Sequence, residues 1–231
     1  LMTLPIFLAL DTKDIQQAKS WIKASSNLID HFKVGLEFYL KHGSNGIKEL
    51  QKESEFNLFL DLKLYDIPNT VKGAVESVAD LSPKFLTVHA SGGSKMISAA
   101  AKALPKGSIT AVTVLTSFSE EDFSLMGQKL NINETTKNWA SNALSAGATS
   151  LVCSAFEVGQ LRKLSNSAVL ITPGVRVEGD DFGDQVRVMT PKDALSEGAD
   201  FVVIGRSITG MWDGTDMKMR KKIEQIATTL G

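Results

Sequence analysis

Short apolar runs rich in β-branched residues alternate along this chain with longer amphipathic ones, and the hydrophobic period switches repeatedly between two and about 3.6. The apolar runs predict strands at PIFLALD (5–11), HFKVG (31–35), NLFLDLKL (57–64), FLTVHA (85–90), ITAVTVLT (109–116), SLVCSA (150–155), AVLITPGV (168–175) and FVVIGRS (201–207). Between them the spacing predicts helices over 13–25, 43–53, 70–80, 93–103, 134–146, 157–165, 191–198 and 217–230, several of them ending near Gly or before Pro. Eight strand–helix units in 231 residues predict an α/β chain folded as a (β/α)8 TIM barrel, a single domain spanning 1–231. A doubly wound open sheet is the alternative if one strand is misassigned. No Pro/Gly/Ser-rich linker and no short-period repeat marks a domain boundary.

The third strand departs from a simple apolar pattern. Strict alternation places Leu58, Leu60, Leu62 and Leu64 on one face and Asn57, Phe59, Asp61, Lys63 and Tyr65 on the other. In isolation, DLK reads as the solvated face of a half-exposed strand. A barrel covers both faces of every strand, so Asp61 and Lys63 are expected to point inward at the carboxyl-end mouth, where barrel active sites form.

Composition narrows the partners. The chain is 43% hydrophobic and 22% charged, with a net charge of −1 and no block of like charges. That gives no field for nucleic acid or a membrane surface and favours a small-molecule partner. One cysteine, Cys153, cannot form an internal disulfide, and three scattered histidines make no metal-ligand cluster, so no metal is expected. Cys153 is read as packing, His31, His42 and His89 as structural, and Trp21, Trp139 and Trp212 as cover for the barrel exterior. The opening LMTLPIFLALD has neither a basic leader nor a cleavage site, and no stretch is long enough for a membrane span. A cytoplasmic setting is expected.

Two further strand ends carry matching chemistry: Asp11 closes FLALD, and Lys33 sits in HFKVG. With Asp61, Lys63 and Asp66 they form a set of carboxylates and ammoniums that neutralise one another while staying charged. A lysine held between aspartates serves as an acid or an electrostatic stabiliser rather than as a Schiff-base nucleophile. Phosphate chemistry is expected on the far side of the mouth, after strands seven and eight. There Gly205 permits close backbone approach, Arg206 offers a bidentate fork, and Arg176 and Gln185 flank a glycine- and acid-rich loop, VEGDDFGDQ, read as a substrate-closing lid.

FLDLKLYDIPNTV carries an Asp-x-Lys-x-x-Asp-Ile-Pro-x-Thr signature; LALD and FKVGLE stand before it at the first two strands, and TVHA, VTVLTS, TPGVR with GDQVRVMTP after it, and IGRSIT stand at the fourth, fifth, seventh and eighth. In order and spacing these blocks resemble the orotidine 5′-monophosphate decarboxylase family of bacterial type. The resemblance implies loss of CO2 from C6 of orotidine 5′-monophosphate to give uridine 5′-monophosphate, the last step of pyrimidine nucleotide synthesis, with no cofactor or metal. It implies that Lys63 stabilises the C6 carbanion and protonates it, that Asp61 lies beside the substrate carboxylate, and that Lys33 and Asp11 hold the ribose. Thr116 would contact the pyrimidine. Asp66, Ile67 and Thr70 would reach into the site of a neighbouring subunit, making a homodimer with shared active sites. Two alternatives stand beside this one. A metal-dependent sugar-phosphate lyase or decarboxylase resembling the hexulose-phosphate synthases would use magnesium, which the ammonium of Lys33 disfavours. A catalytically silent phosphate-binding barrel would leave five buried ionisable groups unexplained.

Overall fold

The computed structural model describes residues 3–177 and 189–230. Among these, eight parallel strands close in chain order into a barrel, each hydrogen-bonded to the next and the last to the first. The strands are β1 Ile6–Ala9, β2 His31–Gly35, β3 Asn57–Leu64, β4 Phe85–His89, β5 Ser108–Val112, β6 Ser150–Val152, β7 Val169–Thr172 and β8 Phe201–Ile204. The helices between them are α1 Ile15–Ser25, α2 Leu36–Gln51, α3 Pro68–Val78, α4 Gly93–Ala103, α5 Glu120–Leu125, α6 Ile132–Ser145, α7 Val158–Leu164, α8 Pro191–Ser196, α9 Arg206–Thr209 and α10 Met217–Leu230. The predicted barrel is the observed fold, and the open-sheet alternative is excluded by the β1–β8 ladder.

Parallel strands need cover on both faces. Outside, Leu8, Val34, Leu58, Leu60, Leu86 and Val88 are fully or almost fully buried in one continuous core with Ile22, Phe38, Ile47, Val75 and Ile97 from the helices. Inside, Phe7, Phe59, Phe85 and Ile171 make a separate cluster, with Phe201 and Val203 packed against it. Phe7 meets Phe59 edge-on at 4.9 Å and Phe85 at 5.5 Å, spacings favoured by aromatic quadrupoles. This layer fills the barrel below the mouth with side chains that cannot hold water, so the polar groups above it are hydrated from one side only.

Several strands stop short of the predicted ends. β1 ends at Ala9, two residues before Asp11; β5 ends at Val112, leaving Thr116 in a turn; β7 ends at Thr172. The hydrophobic pattern runs on because Val114 and Val175, past the ladders, are each only 5% exposed. Burial in a packed loop and burial in a strand leave the same mark on a sequence. Helix α2 begins seven residues ahead of the predicted start, at Leu36 rather than residue 43. HGSNG reads as a turn, and the helix is indeed interrupted there, since Gly43 has φ 59° and ψ −160°. Buried Phe38 anchors the stretch before it and Ile47 and Leu50 the stretch after. Helix α5, absent from the sequence reading, is launched by a capping box in which Ser119 and Asp122 each bond the other's backbone.

Candidate active site

The site begins with an irregularity in β3. Leu60 pairs with Leu86 of β4, but the next pair is Leu64 with Val88, so four residues of β3 span two of its neighbour. The pairing register therefore slips after Asp61, while the expected alternation of faces persists, with Asp61 and Lys63 turned to the cavity. The bulge puts Lys63 at φ 48°, in the left-handed region. Its backbone N–H leaves the ladder and donates instead to Thr87 Oγ1 at 2.8 Å. Leu62 and Leu64 still pack outward against the helices.

The bulge brings the Lys63 ammonium onto Asp61, with Nζ 2.8 Å from Oδ1 and 2.9 Å from Oδ2. On the other side of that carboxylate, Lys33 Nζ lies 3.5 Å from Oδ2 and donates to Asp11 Oδ1 at 3.2 Å. The order Asp11, Lys33, Asp61, Lys63 is thus a chain of alternating charge running from just past β1 across β2 and β3. Gly35 makes room for it, because a Cβ there would stand 3.3 Å from Lys33 Nζ. Burial would raise the pKa of Asp61, but Lys33, Lys63 and the Thr87 hydroxyl, 3.0 Å from Oδ1, together hold it below the usual carboxylate value. His89, half-buried beside the ring of Tyr65, has its pKa lowered by burial and then by the charge of Lys63, with Asp61 opposing.

These groups open into a cavity of about 760 Å³ at the carboxyl ends of the strands. Asp11, Lys33, Asp61, Lys63, Thr116, Arg176, Gly205 and Arg206 all line it. Arg206 is exposed at the start of α9, and Arg176 is half-buried after β7. A Cβ at Gly205 would make only ordinary contacts, 3.4 Å to Ala9 Cβ and 3.8 Å to Asp11 Oδ2, so the space it leaves faces the cavity rather than a crowded backbone. Gln185 and the middle of the expected lid fall outside the described residues. Asp66, Ile67 and Thr70 are exposed and are not part of the cavity wall. Ile67 is 66% exposed, an apolar side chain presented to the surface.

Other expected residues sit away from the charge array. His31 packs on Phe7 and Phe201 below the mouth, and His42 Nε2 meets the Lys13 carbonyl at 2.9 Å. Trp21 is buried in the outer core, with Trp139 and Trp212 partly buried against it. Cys153 reaches the cavity wall but is 1% exposed, and burial pushes its thiol up to about 12. Among the described residues no three His, Cys, Asp or Glu side chains are grouped as metal ligands, and no helix is long and apolar enough to cross a membrane. Sequence reasoning missed Thr87, which is fully buried and touches both Asp61 and Lys63. Alternation on β4 carried the signal, since Phe85, Thr87 and His89 share the inward face.

A closed parallel barrel with a lysine–aspartate chain at the carboxyl end, opposite glycine and arginine after the last strand, defines the chain as a (β/α)8-barrel enzyme. Residues 4–215 match the family model described as orotidine 5′-phosphate decarboxylase / HUMPS family, and the chain belongs to that family. It is 47% identical over 209 residues to "Orotidine 5'-phosphate decarboxylase" of Thermobifida fusca, covering 90% of each chain. A relative of the same name from Gluconobacter oxydans is 39% identical over 232 residues, covering 96% of this chain and 97% of the other. The crystal structure of orotidine 5′-phosphate decarboxylase from Lactobacillus acidophilus superposes with a TM-score of 0.82 at 32% identity, covering 98% of this chain and 99% of that one.

Proposed function

We propose that this chain decarboxylates orotidine 5′-phosphate to uridine 5′-phosphate, the closing step of pyrimidine nucleotide synthesis, with Lys63 as the proton donor. The observation that carries this reading is the Lys63 ammonium held 2.8 Å from the Asp61 carboxylate and facing an open cavity. Breaking the C6–carboxylate bond leaves an electron pair in an sp² orbital that the ring π system cannot absorb. A cation fixed beside that orbital lowers the barrier without reorganising, and its N–H then transfers a proton to C6 as CO2 departs. The lysine amine regains its proton from water. Asp61 serves twice: it fixes Lys63, and it stands where the substrate carboxylate enters. Two like charges about 4 Å apart repel by roughly 4 kcal/mol at an effective dielectric near 20, an upper bound on what their separation contributes. On this reading Lys33 and Asp11 hold the ribose, Thr116 the base, and Arg176 and Arg206, with Gly205 between strand and helix, the phosphate.

Within the same family a metal-assisted relative is the competing chemistry. Lys33 argues against it here, because its ammonium occupies the space between Asp11 and Asp61 where a divalent cation would have to sit. The exposed Asp66, Ile67 and Thr70 fit a homodimer in which each chain completes its neighbour's cavity. The deciding experiment follows the ultraviolet loss of orotidine 5′-phosphate by the wild type and by Lys63→Ala, with and without EDTA. Wild-type turnover that survives EDTA and is lost in the variant is expected. An inactive wild type overturns the assignment, and an undiminished variant overturns the role of Lys63.

A further inference from the structure

We propose that Thr87 is a positioning residue for the decarboxylation, its one hydroxyl locking both the Lys63 backbone and the Asp61 carboxylate into working geometry. The inference rests on the function proposed above. Thr87 lies in the middle of β4 and is completely buried. Its Oγ1 is 3.0 Å from Asp61 Oδ1 and 2.8 Å from the Lys63 backbone nitrogen. Direction follows from chemistry: a carboxylate can only accept, so the hydroxyl proton goes to Asp61, and a lone pair is left to receive the Lys63 N–H.

That second bond is required by the bulge. Where β3 slips past β4 between Leu60 and Leu64, the Lys63 N–H has no carbonyl of the ladder, and an unpaired buried N–H is costly. Without the Thr87 oxygen, residue 63, already at φ 48°, has little to hold it there. Relaxation toward an ordinary strand conformation would swing the side chain away from Asp61 and from the cavity. A single neutral hydroxyl therefore ties together the lysine and the aspartate without touching substrate, as Thr87 does not line the cavity.

The test compares Thr87→Val, Thr87→Ser and Thr87→Ala with the wild type by steady-state turnover of orotidine 5′-phosphate. Valine keeps the shape and removes both bonds; serine keeps both bonds and removes a methyl. A displacement of the order of 1 Å at a reacting group costs about 10²-fold, so kcat of Thr87→Val is expected to fall about 10²-fold, with KM within about threefold because ribose and phosphate contacts are untouched. Thr87→Ser is expected to keep at least about a third of wild-type kcat. If valine prevents folding, serine against alanine isolates the hydroxyl, and the same ratio of about 10² is expected. An active wild type with equal kcat for the hydroxyl-bearing and hydroxyl-free variants overturns the role of Thr87 alone. An inactive wild type overturns the underlying function instead.

Discussion

The left-handed backbone of Lys63 makes a prediction whose sign is unusual: replacing it with glycine should leave a more stable protein than replacing it with alanine. Both substitutions delete the ammonium and leave Asp61, 9% exposed, with Lys33 at 3.5 Å and Thr87 as partners. That cost is shared, so it cancels between the two variants. What remains is the backbone. A residue with a Cβ at φ 48° carries about 1–2 kcal/mol of strain that glycine does not. Glycine gives back about 0.4–1 kcal/mol through the larger entropy of its unfolded chain. The glycine variant should therefore be more stable by roughly 0.5–1 kcal/mol, about 1–4 °C in Tm for a chain of this size. Urea and thermal unfolding under one buffer measure it, and turnover of both variants should be down by at least about 10²–10³-fold. In a regular strand the order inverts, since glycine there is worse than alanine by about 0.5–1 kcal/mol. Alanine equal to or above glycine would refute the bulge and the strain at residue 63 together.

Three other outcomes follow from the structure and the proposed function. In the shared-site homodimer proposed above, mixing inactive Lys63→Ala with inactive Asp66→Ala should restore turnover to about a quarter of the wild-type level, because random exchange would make half the dimers hybrid and each hybrid would have one intact site; no recovery after subunit exchange counts against the shared site. Burial first, then the charge of Lys84, lowers the pKa of His31, while Asp30 opposes. The unfolded histidine takes a proton near pH 6.5 and the folded one resists it, so stability should fall as pH drops through about 6.5, with His89 acting in the same direction. His31→Phe, which keeps the ring against Phe7, should flatten the fall of Tm between about pH 7 and 5.5, and an unchanged slope refutes the assignment. Cys153, buried with a thiol pushed up to about 12, should ignore a disulfide reagent in the native protein and react once urea unfolds it; fast native reaction would show that the cavity wall opens there.

Much of the molecule was legible in one dimension. β2 and β3 fall on the predicted residues, as do α4 and α10, because their hydrophobic period is uninterrupted and their ends coincide with turn residues. The charged positions Lys33, Asp61 and Lys63 were legible because ionisable groups inside a covered strand have no packing reason to be there, and Asp11, exposed just past the end of β1, was legible as the charge that closes FLALD. Their partner Thr87 was not, since a threonine in a strand is unremarkable until its neighbour's ladder fails. Nothing in FLDLKL marks the bulge: it contains neither the glycine nor the proline that usually announces one. The early start of α2 was hidden because Gly43 interrupts the helix with a turn-like conformation, so only the second half carried an unbroken pattern. Asp66, Ile67 and Thr70 were singled out through family resemblance, and a single chain leaves them at the surface.

The bulge explains how a barrel strand can present an acid and a base to each other at all. On a flat ladder, residues two apart on one face are separated by about 6.6 Å along the strand, and both side chains point straight into the barrel. A lysine so placed would extend toward the mouth and share water with it. Compressing four residues of β3 into the space of two on β4 turns Lys63 back onto Asp61, at 2.8 Å. The aromatic layer of Phe7, Phe59 and Phe85 closes the barrel beneath, so the pair is not hydrated from below. Strain of about 1–2 kcal/mol at one residue is small against the charge interactions it makes possible in such surroundings. It persists because the β4 hydroxyl and the Asp61 carboxylate both hold Lys63 in place, which is how a folded chain keeps an uncomfortable conformation where its chemistry needs one.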